Sequence, residues 1–469
     1  MLQQTSDFSK GTVSKNILQL AVPMIFAQLV NVLYSVVDRM YIGHLPEVSA
    51  AALTGIGLTF PIISIVTAFA NLFGTGGAPL FSIARGEGNS KRASHVMAST
   101  FVLLIFTGIL LMGVGFWLKR PALYLFGASD ATFPYANDYL TIYLCGSVFV
   151  MLSLGMNGFI NAQGFGQQGM LTVVIGAVIN IVLDPLFIFV FGMGVRGAAI
   201  ATVISQFVSA LWAISFLSGK KALIQLKKED MYLSFPLVHE IVALGLSGFI
   251  MNVTNSGVQI VCNATLKLFG GDVYVGAMTI INSLREVAFA PINGLTGAAQ
   301  PVLGFNYGAK EYARVRQGIK FMSILCVSYT TFIWLCLLIF PRPFIGIFTS
   351  DTTLVTVTVP AMHIYFFGFF MMALQMSGQT AAVGLGRSKQ AIFFSLLRKA
   401  FIVIPLTLVL PRLFSLGVNG VFLAEPISNF IGGGACFITM LCTIWKELGQ
   451  KERKHEASAP AKKEQMQRP

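Results

Sequence analysis

Long apolar runs, cut by short polar, glycine-rich or basic interruptions, recur twelve times along the chain. They cover about 15–43, 51–83, 93–117, 134–163, 169–191, 195–218, 235–268, 275–305, 315–340, 355–385, 389–412 and 418–446. Each is long enough for a helix to cross the ~30 Å hydrocarbon core of a bilayer. Segments of about ten residues alternating in polarity, the mark of a membrane barrel, do not dominate. The pattern predicts an all-α membrane protein with 12 transmembrane helices. Met1–Gly11 is polar and the apolar stretch Ser14–Met40 is too long for a signal peptide, so the first run is expected to remain as a span.

Composition agrees. Only 11% of the 469 residues are charged, against about 25% in soluble domains. Six cysteines lie in apolar stretches with no CxxC spacing, which marks small packing residues rather than disulfides or a metal site. The net charge of +13 does not indicate a nucleic-acid partner, because its residues fall in short loops between spans. Arg39, Arg285, Arg398 and Lys399 lie inside spans. Lys119, Arg120, Arg196, Lys267, Arg342 and Arg412 lie on one side, and the other 22 basic residues on the opposite side. Positive residues stay in the cytoplasm. Both termini and the 219–234 loop are therefore expected there, with a disordered tail over 447–469.

The chain also repeats itself at an offset near 220. Gly74, Gly77 and Gly88 match Gly294, Gly297 and Gly308, and the run Gly194–Gln206 matches Gly417–Asn429. Ile142, Tyr143 and Gly146 match Ile364, Tyr365 and Gly368. The repeat is six spans long, so both halves enter from the same side, related by an axis along the membrane normal. Two six-helix bundles are expected, 1–218 and 235–446, joined by the cytoplasmic linker 219–234. Two such bundles can enclose a cavity that opens alternately to either side.

Ionisable groups are costly within a bilayer and usually face a cavity. In the first half Asp38 ends the first span and Asp184 interrupts the fifth. Asn180 and Asp184 are four apart and share a helix face. Pro185 removes a backbone donor beside them. Thr202, Tyr34, Tyr139 and Asn157 add polar groups in neighbouring spans. Two desolvated carboxylates placed close together suit one of them to take up and release a proton, and their oxygens equally suit Na⁺.

Several elements carry a family resemblance: Pro23…Gln28…Asn31…Asp38, the loop Gly86–Asn89 with its counterpart Asn306–Gly308, Gln163-Gly164-x-Gly166, and Asn180-x3-Asp184-Pro185. With the spans and the duplication, the chain resembles the multidrug and toxic compound extrusion (MATE) family over nearly its whole length. The resemblance implies a secondary antiporter that exports drugs and other small, often cationic, hydrophobic compounds in exchange for H⁺ or Na⁺. It implies a bacterial inner-membrane protein with no cofactor, and a monomer is expected. The matching positions make Asp38, Asn180, Asp184 and Thr202 the cation-coupling set, with possible Na⁺ ligation at Asp38, Asn180 and Asp184, and Tyr34, Tyr139 and Asn157 as helpers. Pro23 is expected to act as a hinge.

The second half departs from this pattern. It offers no acid opposite Asp38 or Asp184; position 407 is Thr. Thr202 aligns instead with Glu425. Glu286 and Glu425 share that half with Arg285, Arg398 and Lys399, and two readings stand: internal ion pairs with Arg398, or contact with a cationic substrate. Candidate substrate contacts are Gln28, Asn31, Glu286, Arg398 and Glu425. The alternative function is a flippase for a lipid-linked precursor, disfavoured by the few basic residues within the spans. There is no P-loop, HExxH or GxSxG motif, so no enzymatic activity is expected.

Overall fold

The structure, a computed structural model, describes residues 7–43, 54–349, 351–413 and 416–455. The side chains at positions 36, 38–40 and 42 lie outside the described set. Twelve long helices fall on the twelve apolar runs. They are α1 (Val13–Gly43), α2 (Thr54–Gly86), α3 (Ser90–Leu125), α4 (Phe133–Cys145 with Ser147–Ala162), α5 (Gly166–Val190) and α6 (Gly194–Ser218). They continue as α7 (Phe235–Gly270), α8 (Asp272–Gly308), α9 (Tyr312–Ile339), α10 (Thr352–Tyr365 with Phe369–Gly384), α11 (Ser388–Val409) and α12 (Val418–His455). Nine of these, and the two bent pairs α4 and α10, are long and apolar enough to cross a membrane. The twelfth, α8, is 37 residues long and carries Asp272, Arg285 and Glu286. Side chains that a soluble protein would bury stand outward: Phe106, Val182, Phe332 and Phe401 are each more than half exposed. Lipid is the solvent such a surface fits.

Helix starts follow local chemistry. The Asn89 side chain accepts from Arg92 N at 2.9 Å to open α3, and Asp351 accepts from Thr353 N at 2.8 Å to open α10. Two spans that read as straight are bent, α4 by 55° and α10 by 49°. The bends lie at Gly146 and Gly368, which are matched positions of the repeat. Gly368 takes φ 70°, a left-handed conformation that glycine adopts without steric cost. Gly146 makes its bend with φ −89°. The repeat therefore conserves the site of the bend and not its backbone.

The chain packs as two compact units. One takes in Val22–Phe81 and Asn89–Asn252; the other takes in Asp7–Ala21, Ser82–Gly88 and Val253 to the last described residue. In the first unit α6 packs along both α4 and α5, and α3 runs along α4. The buried Gln163 amide holds the 219–234 loop: its Nε2 donates to Ile224 O at 3.1 Å, and its Oε1 accepts from Ile224 N at 3.0 Å. In the second unit Arg314 donates to Phe8 O and Gly11 O at 2.8 Å each and to Asn306 Oδ1 at 2.7 Å. Those bonds give Asn306 of the repeated loop a structural task.

Within the first unit α2 and α7 cross backbone to backbone. A Cβ on Gly76 would stand 2.0 Å from Ile241 O, and one on Gly245 1.7 Å from Leu72 O. A main chain cannot retreat as a side-chain tip can. Gly245→Ala is expected to destabilise the purified protein by roughly 3 kcal/mol, read as a fall in Tm. Gly113→Ala, which meets nothing within 4 Å, should leave Tm unchanged.

Candidate functional site

In the first unit, Asn180, Asp184 and Thr202 meet between α5 and α6. All three are buried, at 1%, 0% and 5% exposure. Asn180 Nδ2 donates to Asp184 Oδ1 and to Thr202 Oγ1, each at 3.4 Å. These are long hydrogen bonds, and Asn180 Oδ1 has no partner among the described residues. Directly after Asp184, Pro185 lacks an N–H for the carbonyl one turn back, and α5 widens into a π-turn over Leu186–Val190. Phe191 N then reaches back five residues to Leu186 O at 2.9 Å. Such widened turns concentrate at functional sites.

The other predicted members lie around this core. Tyr139 is buried with its ring 6.3 Å from that of Tyr143. Asn157 is half-buried and its Oδ1 is unpartnered among the described residues. Tyr34 is half-buried on α1. Asp38 lies in α1, and its side chain is outside the described residues. Tyr41, three residues later, brings α1 to the π-turn, with its ring 6.4 Å from that of Phe189. Gln28 is half-buried and Asn31 exposed on the same helix, and Pro23 sits inside it.

The second unit holds a different cluster. Glu425 on α12 accepts from Arg398 Nη2 at 2.5 Å and from Lys399 Nζ at 3.0 and 3.3 Å. Arg398 also donates from Nη1 to Gln375 Oε1 at 2.8 Å and from Nε to Ser428 Oγ at 3.2 Å. Both basic residues sit in a π-turn, Leu397–Val403, and all three charged side chains are about 95% buried. Glu286 is exposed on α8 and makes no ion pair among the described residues. The sequence marks Lys399 as a basic residue inside an apolar run without making it a candidate contact; nothing in it marks Gln375 or Ser428.

Beside this cluster lies a small cleft lined by Arg285, Tyr365, Lys399 and Glu425. Among the described residues no group of His, Cys, Asp or Glu is arranged to hold a transition metal.

A family model, MatE, matches residues 23–186 and 249–409. The chain belongs to the MATE family of membrane transporters. The two matched stretches fall one in each half of the chain. The multidrug export protein MepA of Staphylococcus haemolyticus (strain JCSC1435) is 27% identical over 445 residues, covering 92% of this chain and 94% of that one. MepA of Staphylococcus aureus (strain N315) is 25% identical over 428 residues, covering 89% and 91%. Among solved structures, a MATE crystal structure in complex with MaL6 superposes with TM-score 0.89 at 21% identity, covering 96% of this chain and all of that one. An outward-facing multidrug resistance MATE transporter gives 0.89 at 21% identity, covering 97% of this chain and all of that one. The all-helical fold of this MATE transporter is therefore that of the family.

Proposed function

We propose that the protein exports small hydrophobic compounds, many of them cationic, across the bacterial plasma membrane in exchange for H⁺ or Na⁺. The relatives named as multidrug export proteins support the substrate class. The observation that carries the coupling is Asp184, fully buried, with Asn180 Nδ2 3.4 Å from its Oδ1 and 3.4 Å from Thr202 Oγ1. Ionisable groups within a bilayer are costly and mark ion pathways. A proton or Na⁺ exchanges at Asp184, and Asp38 on α1 is the second acid of the set. Binding of the ion changes how α1 packs near α5, with Pro23 as the hinge, and the substrate leaves. Linkage requires ion and substrate to prefer opposite states of the transporter. Both termini lie in the cytoplasm, and the monomer is the working unit.

The test is flux. The purified protein is reconstituted in liposomes loaded with a fluorescent cation, and proton and sodium gradients are imposed separately. Efflux under one gradient and not the other is expected, and it names the coupling ion. Absence of efflux under both, from folded protein, would overturn the reading.

A further inference from the structure

The linker 219–234 belongs wholly to the first unit and is pinned along its length. Ala222, Ile224 and Leu226 are buried at alternate positions, behind the two bonds between Gln163 and Ile224. Leu226 N donates to Leu217 O at 2.9 Å, and Ser94 Oγ donates to Asp230 Oδ2 at 2.5 Å. Tyr232 O accepts from Ser99 Oγ at 3.2 Å and lies 3.0 Å from His95 Nε2. The His95 ring stacks on that of Tyr232 at 4.0 Å. A connector held at so many points presents a fixed outer face.

That face combines two chemistries. Lys220, Lys221, Lys227 and Lys228 are exposed and make no ion pair among the described residues. The acids of the linker are Glu229 and Asp230, and Asp230 is held by Ser94. Beside the lysines, Leu223, Tyr232 and Leu233 are each about half exposed, and Phe235, just past the linker, is 85% exposed.

Depth in the membrane decides what such a face meets. Lys119 closes the apolar part of α3 at one boundary of the hydrocarbon. Counting back about 20 residues, or ~30 Å of helix, reaches the other boundary at Ser99. The main chain of Tyr232 is bonded to Ser99, so the aromatic end of the linker lies at that boundary, where amphipathic rings settle. Asp230 is bonded to Ser94, roughly 7 Å further out along α3, at the level of the headgroups. Lysines beside an anionic leaflet are drawn to its phosphates. We propose that the outer face of the linker docks on the anionic phospholipid headgroups of the cytoplasmic leaflet. The four lysines meet phosphates, while Leu223, Tyr232, Leu233 and Phe235 enter the edge of the hydrocarbon. A nucleic acid or an acidic protein would match the lysines and leave those apolar side chains uncovered. The contact rests on the cytoplasmic placement of the linker and not on export.

The test uses the wild-type, full-length protein in nanodiscs of phosphatidylcholine, with and without about one-third phosphatidylglycerol. A neutral reagent acetylates exposed lysines, and mass spectrometry follows each site. Phosphatidylglycerol should slow the four linker lysines at least ~5-fold relative to Lys310 and Lys454, which are exposed elsewhere in the chain. High salt should remove the protection. Equal rates in the two lipids would overturn the proposal. So would the same slowing at Lys310 and Lys454, which marks a general surface potential rather than a docked face. Equal protection in pure phosphatidylcholine by glycerol phosphate or by an RNA oligonucleotide would assign the lysines to another partner and overturn it as well. Phe235→Ser in phosphatidylglycerol discs should speed acetylation of Lys227 and Lys228 at least ~3-fold, because interfacial binding grows with the apolar area buried. An unchanged rate would strike the apolar half of the contact. The lipid comparison needs no variant and no transport, so it is decided apart from the flux assay of the export reading.

Discussion

Asp184→Asn is expected to reduce gradient-driven efflux at least 100-fold while leaving the protein folded. The substitution keeps the shape of the side chain and an oxygen to accept from Asn180 Nδ2. It removes the negative charge, and with it both the proton acceptor and the strongest cation ligand of the cluster. The native carboxylate is fully buried, and a neutral group of the same shape there keeps the packing of α5 against α6. The two readouts therefore separate a coupling role from a structural one. Flux in proteoliposomes should collapse, and Tm in detergent should hold or rise. Flux near wild type would remove Asp184 from the coupling set. Lost flux together with a large drop in Tm would mark it as a packing residue.

The second large effect belongs to stability. Glu425→Gln leaves Arg398 and Lys399 without their shared anion in a site about 95% buried. Removing one partner of a buried ion pair costs about 3–5 kcal/mol. The variant is expected to show a markedly lower Tm and poorer recovery from the membrane. Adding Lys399→Met should restore part of the loss, because one of the two stranded charges goes with it. Residues sharing one network couple in this way. A double variant no more stable than Glu425→Gln would show that Lys399 contributes nothing to the network.

The spans were legible because bilayer-length apolar runs carry few charges, and the duplication was legible because glycines recur where helices bend or touch. Gly146 and Gly368 could be matched in the sequence, yet the bend they share could not be read from it. Neither Pro nor a run of polar residues marks it, and only one of the two has the positive φ that glycine favours. Asn180 and Asp184 share a helix face as their spacing of four predicts, and Thr202, which the family resemblance pointed to, lies beside Asn180. Gln163 was visible as part of a motif, but its bonds to Ile224 join residues 61 apart, beyond any local pattern. The double grip on Glu425 shows a subtler limit. Consecutive residues of an α-helix diverge by about 100°, which makes Arg398 and Lys399 poor candidates to hold one carboxylate. The π-turn over Leu397–Val403 widens the helix there and brings both onto Glu425. No propensity rule announces a π-turn at that position. Glu286, equally acidic in sequence, ended exposed because its place on the circumference of α8 is fixed by that helix's packing and not by its own charge.

The two packing units do not coincide with the two copies of the repeat. Asp7–Ala21 and Ser82–Gly88 belong by packing to the unit that holds the second copy, and Phe235–Asn252 to the unit that holds the first. The duplicated chain thus has seams that fall inside helices at 21/22, 81/82 and 252/253, and in the turn between α2 and α3 at 88/89. Recombination at the linker, the break that looks harmless in the nucleotide sequence, would exchange pieces of both units at once. Homologous halves traded between paralogues would arrive with the wrong glycine opposite Gly76 or Gly86. Selection on such a chain favours change by point substitution within each unit, and the opposite placement of acid and hydroxyl in the two copies, Asp184 and Thr202 against Thr407 and Glu425, is a divergence of that kind.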